Sequence, residues 1–164
     1  MRKAFVSALV EIARTDESIV LLTGDMGWNV LEPFRDAYPK RYFNCGVAEQ
    51  NMAGVAAGLA LQGMRPVMYS ITNFAVLRCY EQIRNDIVYH NLPVLVVGIG
   101  MGGNYGPQGF THAGLEDITL MGLLGVETIV PVDPTEADWA TRKLLKSSKP
   151  GYLRLGRGGR PYNA

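Results

Sequence analysis

Tyr42-Phe43-Asn44-Cys45-Gly46-Val47-Ala48-Glu49-Gln50-Asn51-Met52-Ala53-Gly54, continued by an Ala- and Leu-rich run to Gln62 and followed by Pro66-Val67-Met68-Tyr69, reads as a strand, a helix and a second strand in close succession. The flanking apolar runs have strand length, whereas 49–62 is too long for a strand and rich in helix formers. Outward from this unit the same alternation repeats. Upstream, Ala4, Phe5, Ala8, Leu9 and Ile12 recur at helical steps and lead into a strand at Ile19–Leu22. Downstream, strands are expected at Val94–Val97, Glu127–Val130 and Tyr152–Leu155, with helices near 75–89, 115–124 and 135–147. Such alternation predicts an α/β fold, a doubly wound, mostly parallel sheet with helices on both faces. With no repeat, low-complexity tract or linker-like segment, one domain over 1–164 is the expectation.

The 164 residues carry 16 Lys and Arg against 15 Asp and Glu, a net charge of +1 without a run of like charge. Nucleic acid and anionic membranes are therefore poor partners for this surface. Cys45 and Cys79 stand alone, at a separation that suits neither a zinc site nor a disulfide framework. Reduced thiols, apolar runs far short of a membrane span and the lack of an export pattern make the cytoplasm the expected location.

In a parallel sheet, ligands collect beyond the carboxyl ends of the strands, where helix N-termini and unpaired backbone groups converge. Asp25, Glu49, Asn73, Phe74, the glycine-rich stretch after Val97, Asp133 and Arg157 all follow predicted strands and so share one rim. Taken singly they are ambiguous. Glu49 in a helix first turn is favoured by the macrodipole whatever its role, Phe74, Ile71 and Leu77 suit plain core packing, and Asp25 before Met26-Gly27 suits a turn.

In combination they are more specific. Gly46-Val47-Ala48-Glu49-Gln50-Asn51-Met52, then Ala56-Ala57-Gly58-Leu59-Ala60, the Tyr80-Glu81-Gln82-Ile83-Arg84-Asn85 helix, and Thr111-His112 with Leu115-Glu116-Asp117 resemble, in this order, the pyrimidine-binding domain of transketolases. The similarity runs from Arg2 to Arg157 and is greatest to the C-terminal subunit of split transketolases, without the third domain. It implies thiamine diphosphate as cofactor, with Glu49 bonding the pyrimidine nitrogen opposite the amino group. A shared proton there favours the imino tautomer, which can accept the thiazolium proton. Phe74 would stack on the pyrimidine, with Ile71 and Leu77 lining the same pocket and Asp25 near the thiazolium. The resemblance further assigns His112 and Gln108 to the donor substrate, and Arg2 and Arg157 to an anionic tail, which guanidinium groups hold by bidentate bonds.

Two departures from the family pattern bear on the substrate. Gly106-Pro107-Gln108-Gly109-Phe110-Thr111-His112 carries Gln108 where transketolases carry an aspartate that recognises a donor hydroxyl, and glycines occupy the place of an upstream substrate histidine. An amide can still hydrogen-bond a hydroxyl but is not a charged acceptor. Gly98-Ile99-Gly100-Met101-Gly102-Gly103 has dinucleotide-binding spacing, yet Asn104, Gly106, Pro107 and Gly109 oppose the helix that motif requires. The family's metal-diphosphate motif, Gly-Asp-Gly followed at helix length by Asn, does not occur. The resemblance thus implies a separate diphosphate-binding subunit that holds most of the magnesium site, in a hetero-oligomer expected to be a heterotetramer. A small carbonyl or sugar-phosphate compound would be the substrate, and two-carbon ketol transfer the reaction. The alternatives are a subunit that decarboxylates 2-oxo acids or forms acyloins, and a non-catalytic regulatory paralogue.

Overall fold

The computed structural model describes residues 1–156. Helix α1 (Arg2–Thr15) leads into β1 (Ile19–Thr23), a short α2 (Glu32–Ala37), β2 (Tyr42–Asn44), α3 (Glu49–Leu61) and β3 (Arg65–Ile71). Two brief helices, α4 (Thr72–Ala75) and α5 (Tyr80–Gln82), precede β4 (Leu95–Ile99). After a long loop come α6 (Asp117–Leu123), β5 (Glu127–Ile129), α7 (Pro134–Lys146) and β6 (Gly151–Leu155). Among the described residues the six strands are all parallel, in the order β2-β1-β3-β4-β6-β5.

Period-two alternation builds two cores from one sheet. Ile19 and Leu21 of β1 pack with Val67, Val97 and Leu153 against Phe5 and Leu9 of α1 and Leu144 of α7. Val20 and Leu22 face the other way, with Met68, Val96 and Tyr152, onto Met52, Ala53 and Ala56 of α3 and Met121 of α6. Every residue of β1, β4 and β6 is buried, the pattern of strands covered on both faces. α7 starts at a capped end: the Asp133 carboxylate accepts from the Glu136 amide at 2.8 Å, and Glu136 accepts from the Val132 amide at 2.8 Å. The rim residue Asp133 therefore has a structural duty.

The single helix expected over 75–89 is not formed. The chain turns helical already at Thr72, breaks at Val76–Cys79, and resumes through α5 into a π-helical turn, Ile83–Val88. Ile83 and Ile87 still share a buried face, so the apolar period survives while the backbone hydrogen-bond pattern changes. The short helix α2 is absent from the sequence expectation; Phe34 is its buried anchor.

The strand order reverses between β1 and β3: from β1 the chain moves out to β2, then returns to β1's other side. Their carboxyl ends flank a topological switch point, where parallel sheets leave a crevice.

Candidate active site

Glu49 opens α3 beside this crevice and is only 1% exposed. Its Oε1 accepts a hydrogen bond from Ser70 Oγ at 2.9 Å, from the end of β3, and its Oε2 accepts from Arg78 Nη1 at 2.7 Å. Gly24, just past β1, closes the third side. A Cβ there would stand 2.8 Å from Glu49 Oε1 and 3.1 Å from Ser70 Oγ, so the main chain approaches the carboxylate as only glycine permits. The carboxyl thus sits where the exits of β1 and β3 meet the first turn of α3.

Phe74 and Arg78 lie four residues apart, and the Arg78 guanidinium carbon sits 4.0 Å from the Phe74 ring centroid. His112 meets the same ring edge-on, with centroids 5.0 Å apart, and Tyr105 lies 5.7 Å from His112. An arc of side chains therefore runs from Ser70 through Glu49, Arg78, Phe74 and His112 to Tyr105. Beneath it, Cys79 is buried and its thiol is pushed up to about 12 by desolvation, with the Glu49 charge adding to the effect. The Tyr69 phenol is likewise raised by burial, against the opposing pull of Arg2 nearby.

The loop bearing His112 is pinned at both ends. Thr72 Oγ1 donates to the Gly100 carbonyl at 2.6 Å, and Arg154 donates to the Gly114 carbonyl. Arg154 also pairs with Asp117 at 3.0 Å, whose Oδ2 accepts from the Tyr152 hydroxyl at 2.6 Å. All three side chains are buried. A β-bridge between Gly102 and Gly114 narrows the loop's neck, and no helix follows Gly103 directly, only tight 3₁₀ turns. The dinucleotide reading of Gly98–Gly103 therefore lacks its helix.

The remaining residues named from sequence lie at different distances from this arc. Asp25 is exposed, in the left-handed region (φ 55°), with Oδ1 accepting from Asn44 Nδ2 at 2.8 Å. That bond ties the exits of β1 and β2 together. Ile71 ends β3, half-buried, paired with Ile99 of β4. Leu77 is 36% exposed on the turn after α4, and Gln108 is exposed on the loop, its carbonyl accepting from Thr111. Arg2 stands at the start of α1 beside Tyr69. Arg157 lies outside the described residues.

Ser70, Gly24 and Arg78 were missed by sequence reasoning. The first two carry no local signal, because only tertiary contact with Glu49 distinguishes them. Arg78 carried no usable local signal either, because the turn at Val76–Cys79, where a continuous helix was expected, is what brings it over Phe74. Among the described residues no three His, Cys, Asp or Glu side chains gather to ligate a metal, and no helix is long and apolar enough to cross a membrane.

Residues 1–161 match the family model described as "Transketolase, pyrimidine binding domain". A subunit of the apulose-4-phosphate transketolase of Phocaeicola vulgatus is 34% identical over 162 residues, 98% of this chain and 52% of that protein. A putative transketolase C-terminal section from Methanocaldococcus jannaschii is 36% identical over 159 residues, 96% of this chain and 50% of that protein. Among solved structures, a split gene transketolase described as an inactive beta4 tetramer superimposes with a TM-score of 0.86 at 37% identity, covering 98% of this chain and 52% of that one. The transketolase from Leishmania mexicana, at 23% identity and a TM-score of 0.85, shares the fold; the match covers 95% of this chain and 25% of that one. The chain spans about half the length of the Phocaeicola and Methanocaldococcus proteins.

Proposed function

The chain belongs to the transketolase pyrimidine-binding domain family, and from that premise we propose that it is part of a cytoplasmic subunit of a thiamine-diphosphate enzyme that moves a two-carbon ketol unit between sugar-phosphate-like substrates. A second polypeptide would grip the diphosphate and its magnesium, a reading supported by the subunit name of the Phocaeicola relative. The subunit and split-gene names carried by the relatives support a hetero-oligomer, for which we propose two copies of each chain.

One observation carries the reading: a carboxyl 1% exposed, fixed by Ser70 at 2.9 Å, faces the space over an aromatic ring at the switch point of the sheet. The residues suit an aminopyrimidine. Phe74 presents a flat apolar face for stacking, and Glu49 presents an acceptor oxygen at its edge. When bound, thiamine diphosphate supplies a nucleophilic carbon that adds to a carbonyl and carries the two-carbon fragment. Glu49 holds a proton at the ring nitrogen opposite the amino group, and Ser70 keeps that carboxyl from rotating away. Phe74 fixes the plane of the ring, with Ile71 and Leu77 at its margins. His112, braced against Phe74, donates to or accepts from the donor's oxygen, and Gln108 offers an amide to a hydroxyl. Asp25 would serve the thiazolium side, while Arg2 and Arg157 would receive an anionic tail.

The test is turnover by the chain assembled with its diphosphate-binding partner. Glu49→Gln should cut cofactor-dependent ketol transfer about a hundredfold to ten-thousandfold, the range of a lost general acid or base, with the assembled species unchanged by size-exclusion chromatography. Wild-type-like activity in that variant would refute the assignment. Carbon dioxide release from a 2-oxo acid, without transfer from a ketose phosphate, would instead identify a decarboxylating subunit.

A further inference from the structure

Arg78 fills the space over Phe74. Its guanidinium is planar, its central carbon lies over that ring 4.0 Å from the centroid, and it donates to Glu49 Oε2 at 2.7 Å. Those are the two contacts an aminopyrimidine needs from the same residues, and two flat groups cannot both occupy one stacking position. We propose that Arg78 is a displaceable occupant of the aminopyrimidine slot, closing it by its contacts with Phe74 and Glu49 and leaving when the cofactor ring enters. The inference rests on the functional reading above and adds a competitor to it.

Three physical arguments support it. A carboxylate 1% exposed needs a countercharge, and the Ser70 hydroxyl supplies a hydrogen bond but no charge. Arg78 provides that charge. The side chain is also poised to leave: it is 38% exposed against 1% for Glu49, and it hangs from the break between α4 and α5 rather than from a helix that would restrict it. Its guanidinium can therefore return to water without unfolding anything. Finally, a Glu49 oxygen committed to a guanidinium cannot share a proton with a ring nitrogen. The paired arrangement is thus a resting state, and cofactor affinity is reduced by the fraction of molecules in it.

The experiment uses the chain in complex with its diphosphate-binding partner, with thiamine diphosphate titrated at saturating magnesium. Arg78→Met keeps an apolar stem but removes the competing cation. We expect its apparent Kd to fall about three- to tenfold, as for a slot closed in roughly 70–90% of wild-type molecules, with Arg78→Lys intermediate. Weaker binding by Arg78→Met would overturn the proposal, because the arginine would then serve the loaded site. A second measurement needs no variant at that position. Arginine-selective ¹⁵N NMR of the cofactor-free complex should show a guanidinium with hindered rotation and a ring-current shift, lost in Phe74→Leu and lost again when the wild type is saturated with cofactor. Persistence of that signal at saturation would overturn the occupant while leaving the functional reading intact. Failure of the wild-type complex to bind thiamine diphosphate at all would overturn both.

Discussion

Gly24 has no special dihedral to explain its identity; what excludes a side chain is the Glu49 carboxylate, 2.8 Å from where a Cβ would stand. Gly24→Ala should therefore move the carboxyl or the exit of β1. Overpacking of this kind costs about 1–3 kcal/mol, and activity should suffer more than stability, because the displaced group is the proposed acid-base residue. Paired measurements of Tm and turnover would separate the two; a stable variant with unaltered turnover would show that the close approach is incidental. At the same scale, Asp25 keeps a left-handed backbone with a β-carbon, a strained arrangement held by the Asn44 side chain. Glu49 was legible from sequence because its neighbours form a motif. Ser70 was not, since a serine ending a strand has many uses and only its 2.9 Å bond to the carboxylate selects one.

The helices divide by what starts and stops them. α7 has a sequence-readable start, Asp133-Pro134-Thr135-Glu136, and the structure uses its main parts: a side-chain cap, a proline in the first turn and a glutamate that reaches back. Asp133→Ala should lower stability by about 1 kcal/mol, measurable as a small drop in Tm, without altering the site, which lies across the sheet from β5. A drop several times larger would mean that Asp133 does more than cap. The segment 75–89 shows the opposite case. Its apolar spacing reads as one continuous helix, yet the backbone from Thr72 onward is helical, broken, helical and then π-helical. Periodicity reports which side chains face the core, and Ile83 and Ile87 do, but it does not report which carbonyl each amide bonds. That break matters, because it sets Phe74 and Arg78 beside Glu49.

For the molecule as a whole, both cores share one sheet, and strands β1, β3, β4 and β6 contribute alternate residues to each. A domain built this way should unfold as one unit. Cys79, buried in the second core with its thiol raised from 9.0 to about 12, is a natural probe. At about pH 8, below the ordinary thiol range, a thiol reagent should modify the half-buried Cys45 first and Cys79 only at the global unfolding rate; early reaction of Cys79 would reveal separate unfolding of the α3 side. The sign of the pH effect follows from the same shift. The folded state holds the neutral thiol, so its stability contribution is complete below pH 9.0 and is lost progressively as pH rises toward about 12. The buried phenols Tyr69 and Tyr152, also raised by burial, act in the same direction.

The order of the strands and of the longer helices, the two-sided burial of the sheet and the family motif around Glu49 were determined by the sequence alone, because period, run length and motif are local properties of the chain. The tertiary structure decided which distant residues meet: Gly24, Ser70 and Arg78 around one carboxylate, and Thr72 and Arg154 on the two ends of the glycine-rich loop. Those meetings depend on strand order and on side chains brought together across the sheet, and no window of consecutive residues contains that information.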